Sequence, residues 1–217
     1  AAWRIVGGEK VSVLRLLSSV FWLIGGVFIL MLLRLLFDAD TTLLGLGVYL
    51  LLPFAVIYSR FVQTYPLMIM WFAISLYFIA AYFKKPTKAL LIAALAASAV
   101  CNYTRPLCIF IMFGAFIALS IQKRGFRKGV FSKITGLFVG VSVLPCVAFY
   151  TYQMLTTGYG FGSGLFSPRY MLHGYFWKGW FSMIQATVGL SPVMLAIVGL
   201  LIVRDRFTKY LLAGLWA

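Results

Sequence analysis

The sequence predicts an all-α fold, a polytopic bundle of transmembrane helices, and three observations carry that prediction. The 217 residues are 63% hydrophobic and only 11% charged, whereas an ordinary soluble domain is roughly half apolar and a quarter charged. Mean hydropathy is +1.01. The apolar residues run in long blocks with none of the alternation that a membrane β-strand requires. Only helices and closed barrels satisfy backbone hydrogen bonds in hydrocarbon, so a helical membrane bundle remains.

A crossing takes about 20 apolar residues, and the chain divides accordingly. The first segment covers residues 11–37, with Arg15 near one end and Arg34 near the other. Asp38-Ala39-Asp40 makes a tight acidic turn into a second apolar run, residues 42–58, which Pro53 kinks or shortens. A short polar linker around Arg60 leads to Pro66, a residue suited to opening a helix, and the third span runs from there to Lys84. Residues 89–121 are too long for one crossing, and Asn102-Tyr103-Thr104-Arg105-Pro106 splits them into two short helices. Beyond the basic loop at Lys123 to Lys128, a span over residues 130–154 is interrupted by Pro145. A Gly- and aromatic-rich loop follows over residues 156–180, then a last full span over residues 181–203 and the start of another helix. The total is seven full spans and a truncated eighth. The chain opens on Ala1-Ala2-Trp3-Arg4 and stops inside an apolar run, which reads as an internal fragment.

Nineteen Lys and Arg against four acids give a net charge of +15. The bases sit in short loops between apolar segments, which is the positive-inside pattern of membrane topology and not a nucleic-acid stripe. Alternating the loops places twelve on one face: Arg34, Lys84, Lys85, Lys88, Lys123, Arg124, Arg127, Lys128, Lys133, Arg204, Arg206 and Lys209. Seven fall on the other: Arg4, Lys10, Arg15, Arg60, Arg105, Arg169 and Lys178. The richer face is expected to be cytoplasmic. The Arg60 linker, the Arg105 turn and the aromatic loop then share the opposite, extracytoplasmic face.

The acids Glu9, Asp38, Asp40 and Asp205 form no pair for general acid and base work. Cys101, Cys108 and Cys146 lie in or beside apolar segments with no CxxC spacing, so they read as packing residues and neither a disulfide nor a zinc set. Metal ligation from one His, scattered acids and embedded thiols is not expected, although a divalent requirement is left open. The glycines of residues 158–164 lack the Lys-Ser or Lys-Thr ending of a phosphate loop. Bases near helix ends are more informative. Arg60, Arg105 and Arg169 stand in loops that also carry Tyr65, Tyr103 and Tyr170. A guanidinium fork matches phosphate oxygens, and a position near the membrane surface suits a lipid phosphate. The competing role for each Arg is to snorkel to headgroups or cap helix carbonyls. Arg105 has the best case, because it interrupts more than thirty apolar residues.

The order of these pieces resembles the middle of the polyprenol-phosphate-dependent glycosyltransferases of the GT-C superfamily. Its nearest likeness is to bacterial relatives of dolichyl-phosphate-mannose protein mannosyltransferase and of the lipid A aminoarabinose transferase. The stretches that carry the resemblance are Arg15-Leu16-Leu17-Ser18, Pro53, Gln63-Thr64-Tyr65-Pro66-Leu67, Thr104-Arg105-Pro106, Phe166-Ser167-Pro168-Arg169, Phe176-Trp177-Lys178-Gly179-Trp180 and Leu212-Ala213-Gly214-Leu215-Trp216. The resemblance implies that residues 1–217 are part of one transmembrane glycosyltransferase domain, with its first span, first outer loop and C-terminal part missing. It implies a sugar donor carried on polyprenyl phosphate, a protein or glycolipid acceptor, and transfer at the outer face of the inner membrane; it specifies no further cofactor and leaves a divalent metal open. The catalytic acid is then expected upstream, with no catalytic residue inside the fragment, which alone should be inactive. The stretch from Gln63 to Pro66 lacks the Asp that many relatives have before the corresponding Pro. The leaving phosphate falls to Arg105, Arg169 and Arg60, in that order, with His173, Tyr170 and Tyr103 orienting phosphate or acceptor.

The residues by themselves leave a second class open, a non-enzymatic transporter or flippase subunit for an anionic lipid-linked solute. Broken helices at Pro53, Pro106 and Pro145 fit it. The lack of an internal repeat and of intramembrane acids for ion coupling counts against it. A scaffold subunit, whose Arg residues would tolerate Gln, is the third.

Overall fold

The structure is a computed structural model that describes residues 11–51, 56–57, 59, 64–157, 173–187 and 190–216. All regular structure among them is helical. Helix α1 spans Val11–Leu36, and Asp38 starts α2, Ala39–Leu51. Helix α3, Tyr65–Lys84, carries Pro66 in its first turn as expected. The long apolar stretch that follows is two helices, α4 over Lys88–Thr104 and α5 over Cys108–Arg124, separated at Arg105. Short helices α6, Phe126–Val130, and α7, Lys133–Phe138, lead through a π-helical turn, Val139–Val143, into α8, Leu144–Thr157. Helices α9, Gly174–Thr187, α10, Leu190–Ile202, and α11, Arg206–Trp216, complete the described chain.

Among the described residues three helical stretches are long and apolar enough to cross a membrane: Ser12–Leu36, Tyr65–Lys84 and Phe126–Thr157. Helices α2 and α4 are apolar but shorter. Pro53 lies outside the described residues. The interruption expected at Pro145 takes the form of the π turn just ahead of it. Proline donates no N–H and its ring crowds the preceding turn, which a widened turn accommodates.

Helix α3 is the centre of the bundle, with α1, α4 and α5 packed on it and α11 lying on α5. Leu76, Ile79, Ala80 and Phe83 of α3 meet Met112, Phe116 and Leu119 of α5, together with Leu32 and Phe138. Phe116 stacks on Phe138 at 4.2 Å between centroids and takes the edge of Phe83 at 5.2 Å. In a bilayer the hydrophobic effect does not drive helices together, so close packing and small residues must. The buried alanines Ala73, Ala80, Ala94, Ala97 and Ala115 fit that requirement. So does Gly214, where a Cβ would stand 2.5 Å from the carbonyl oxygen of Gly114. Large apolar side chains such as Leu16, Leu44, Ile92 and Leu155 are exposed, as lipid-facing residues should be.

The two ends of the bundle differ. At one end the Lys84 ammonium donates to the carbonyl of Leu35 and lies 5.4 Å from the Phe207 ring centroid. Lys123 donates to the carbonyl of Phe83 at 2.7 Å. These ammonium groups satisfy carbonyls that helix ends leave without partners, and they complement the negative ends of the helix dipoles. Asp205 caps α11 at the same end, accepting from the backbone N–H of Thr208 at 2.9 Å and its hydroxyl at 2.7 Å. The Thr208 hydroxyl is the main cause holding the Asp205 carboxyl below the ordinary carboxylate range. A depressed native value gives stability that is full above the unfolded-state value near 4 and lost as pH falls through the native one. Asp205→Ala is expected to cost about 1 kcal/mol and to remove that acid dependence. Amide exchange of α11 between pH 6 and pH 3 checks both.

Residues 177–180, expected in a loop, belong to α9, and the described part of residues 181–203 is the end of α9, to Thr187, and α10, from Leu190. The physical reason is the periodicity of α9. At 100° per residue Phe176, Trp177, Trp180, Phe181, Met183 and Ile184 fall on one face, and Lys178, Ser182 and Gln185 on the other. A helix of that pattern suits an interface, whereas a spanning helix facing lipid is apolar all round. Versions of the protein keeping only Trp177 or Trp180 are expected to be quenched more by lipids brominated near the headgroup than by lipids brominated deep in the chain. Deeper quenching would place α9 across the bilayer.

Candidate functional site

The end of the bundle opposite Lys84 is organised around the turn between α4 and α5. Helix α4 stops because residue 106 is proline, which pushes Arg105 out of the helical region to φ −150° and ψ 108°. The last carbonyls of α4 are then taken up one by one. Cys101 accepts from the backbone N–H of Arg105 at 3.0 Å. Asn102 accepts from the Cys146 thiol at 3.2 Å, and Tyr103 accepts from the Tyr150 hydroxyl at 3.1 Å. Cys146 and Tyr150 are one turn apart on α8, so a single face of that helix clamps the end of α4.

The π turn strengthens the clamp. The buried Asn102 amide donates to the carbonyl of Ser142 at 2.8 Å, and the Ser142 hydroxyl donates to the carbonyl of Leu95 at 3.0 Å. Asn102 therefore fixes α4 to the wide turn of its neighbour, while its own Oδ1 finds no hydrogen-bond partner among the described residues. On the other side the Arg105 guanidinium stands 4.3 Å from the ring centroid of Tyr65, the first residue of α3. Cation–π contact of this kind holds the guanidinium plane by one face and leaves its N–H edges available. Arg105 is half-exposed. Among the described residues the carboxylates Asp38, Asp40 and Asp205 all belong to turns or helix starts away from this end. Beside the turn is an apolar cleft of about 190 Å³, lined chiefly by Pro106, Ile109, Cys146, Val147, Tyr150 and Met154.

Of the residues singled out in the sequence, the structure brings Arg105 and Tyr103 to one turn. The Tyr103 ring packs edge-on against Phe149 at 5.6 Å, so its backbone carbonyl does more to build the turn than its hydroxyl. His173 is exposed just ahead of α9, its ring stacked on Tyr175 at 5.5 Å, and no described contact joins it to Arg105. Arg60, Arg169 and Tyr170 lie outside the described residues. The residues that sequence reasoning missed are Asn102, Cys146 and Tyr150, while Tyr65, noted there only as a neighbour of the loop bases, is the ring under Arg105. Tyr65 and Asn102 had a local signal, a polar group beside a helix-ending or helix-opening proline. Cys146 and Tyr150 had none, because their role comes from a contact more than 40 residues away in the chain. All three cysteines are free and buried. No group of three His, Cys, Asp or Glu side chains converges among the described residues.

Among known families, the family model described as dolichyl-phosphate-mannose-protein mannosyltransferase matches residues 2–152. No curated protein and no solved structure matches the chain. The matched stretch runs from α1 almost to the end of α8 and includes the whole Arg105 turn with its clamp. With well over half of its length inside that match, the chain belongs to the dolichyl-phosphate-mannose-protein mannosyltransferase family, membrane glycosyltransferases of the GT-C type.

Proposed function

We propose that the protein moves a sugar from a polyprenyl-phosphate carrier to a hydroxyl acceptor, on a protein or glycolipid, at the extracytoplasmic face of the inner membrane. The observation that supports this most is Arg105, held over Tyr65 with its donor edge available and an apolar cleft beside it. A polyprenyl phosphate is an anion on an isoprenoid chain, and a guanidinium next to an apolar cleft complements both parts.

The acceptor oxygen attacks the anomeric carbon while the bond from that carbon to the carrier phosphate breaks. The phosphate leaves with the electron pair and gains negative charge, which Arg105 stabilises in the transition state. The acceptor proton passes to a base. Asp38 and Asp205 are occupied as helix caps, so the base is a carboxylate other than these. Arg169 and Arg60 supply further positive charge to the phosphate, and Tyr103, Tyr170 and His173 orient phosphate or acceptor.

Membrane vesicles containing the full-length protein test the reading when supplied with one labelled sugar on two carriers. Label is expected to pass to acceptor from the polyprenyl-phosphate-linked sugar and not from the nucleotide-linked one. Transfer from the nucleotide sugar alone would refute the proposal.

A further inference from the structure

The opposite end of the molecule holds a second feature that the transfer chemistry does not use. Where α10 ends and α11 begins, a cleft of about 770 Å³ is lined by Leu201, Ile202, Arg204, Arg206, Lys209 and Tyr210, with Val203 between. Arg206, Lys209 and Tyr210 are spaced i, i+3 and i+4, which sets them on one face of α11. Arg204 closes the cleft from the connecting segment, and all three cations are exposed. The neighbouring carboxylate, Asp205, offsets at most one of these three charges. Asp205 is absent from the lining, its carboxylate engaged by the N–H and hydroxyl of Thr208 inside the first turn of α11. The other base nearby, Lys84, is turned to the Phe207 ring and the end of α1. Among the described residues the cleft is thus lined by three cations and no acid.

We infer that this cleft binds the phosphate headgroup of an anionic membrane phospholipid. The shared chemistry is a phosphate anion, for which guanidinium forks and an ammonium are suited. Leu201 and Ile202 favour a lipid over a soluble phosphate. They stand 73% and 70% exposed on the last turn of an apolar helix, directly beside the cations. An amphiphile with its acyl chains along α10 and its head against Arg204, Arg206 and Lys209 covers both surfaces at once. Basic clefts at the membrane surface recognise anionic lipid heads on this principle. The site lies outside the stretch matched by the family and at the far end from Arg105, so it stands independently of the transfer reaction.

The test uses full-length protein in neutral detergent, titrated with fluorescent phosphatidylglycerol or with the phosphatidylcholine analogue. Phosphatidylglycerol is expected to bind, phosphatidylcholine to bind much more weakly, and millimolar inorganic phosphate not to displace the bound lipid. The triple variant Arg204→Gln, Arg206→Gln, Lys209→Gln is expected to weaken phosphatidylglycerol binding at least about tenfold. A matched control, Arg127→Gln with Lys128→Gln and Lys133→Gln, removes the same charge elsewhere on the basic end and is expected to leave binding nearly unchanged. Lys209→Gln alone carries the test if the triple variant fails to insert, with a severalfold loss expected. Equal binding of the two lipids, displacement by inorganic phosphate, or an equal loss in the control set would overturn the inference.

Discussion

Replacing Arg105 by Gln is expected to lower sugar transfer about 10²–10³-fold while the protein still inserts and folds. The loss follows from where the charge acts. Negative charge grows on the departing phosphate as the glycosidic bond breaks, and a fixed cation stabilises that state more than the bound donor. The loss should therefore appear in kcat as well as in kcat/KM. The structural cost is small, because the turn is held by Pro106 and by the Cys146, Tyr150 and Asn102 hydrogen bonds rather than by the guanidinium. Only the contact with Tyr65 is given up, worth about 0.5–1 kcal/mol at a half-exposed site. Arg105→Lys keeps the charge but not the fork and should recover part of the rate. Steady-state transfer in vesicles, normalised to inserted protein, reads all of this. Unchanged transfer in Arg105→Gln would assign the Arg to helix capping alone.

The second large effect is on stability. Gly129→Ala is expected to destabilise the protein by about 3 kcal/mol, a combined estimate from overpacking and loss of buried hydrogen bonds. A Cβ at residue 129 would stand 2.6 Å from Cα of Ile121 and 2.7 Å from its nitrogen, contacts with backbone that no side-chain rotation relieves. The Gly129 carbonyl also accepts the hydroxyls of Ser120 at 2.9 Å and Thr135 at 2.8 Å, so displacing this residue loosens three elements together. Gly136 is the control. Nothing lies within 4 Å of a Cβ there, and the residue is exposed within α7. Gly136→Ala should leave stability unchanged or raise it by up to about 1 kcal/mol. Unfolding in mixed detergent with increasing SDS, followed by circular dichroism, separates the two.

The sequence made the helices legible wherever a local signal ended them. Pro66 opens α3, Lys84 and Lys85 close it, and Arg105-Pro106 divides α4 from α5, each at the expected place. The charge pattern also anticipated that basic loops gather at one end, where Lys84 and Lys123 meet neighbouring helix termini. Composition was a poorer guide to residues 177–180, since counting glycines and aromatics does not reveal a helical face. The periodicity that does reveal it was already present in residues 174–187. In the site, Arg105 stood out because a charge inside apolar sequence has few inexpensive explanations. The ring of Tyr65 beneath it and the clamp from α8 depend on contacts 40 or more residues apart, which no window of sequence contains. The π turn was legible only as a proline, because its widened geometry depends on Asn102 reaching into it from α4.

The most direct measurement is equilibrium binding of a polyprenyl phosphate to the full-length protein, compared with the neutral polyprenol of the same chain length. If Arg105 recognises the carrier phosphate, wild type binds the phosphate more tightly than the alcohol. Arg105→Gln then loses about tenfold of that preference while alcohol binding stays the same, a difference of roughly 1.4 kcal/mol. Equal affinities for phosphate and alcohol, or the same preference in wild type and Arg105→Gln, would contradict it.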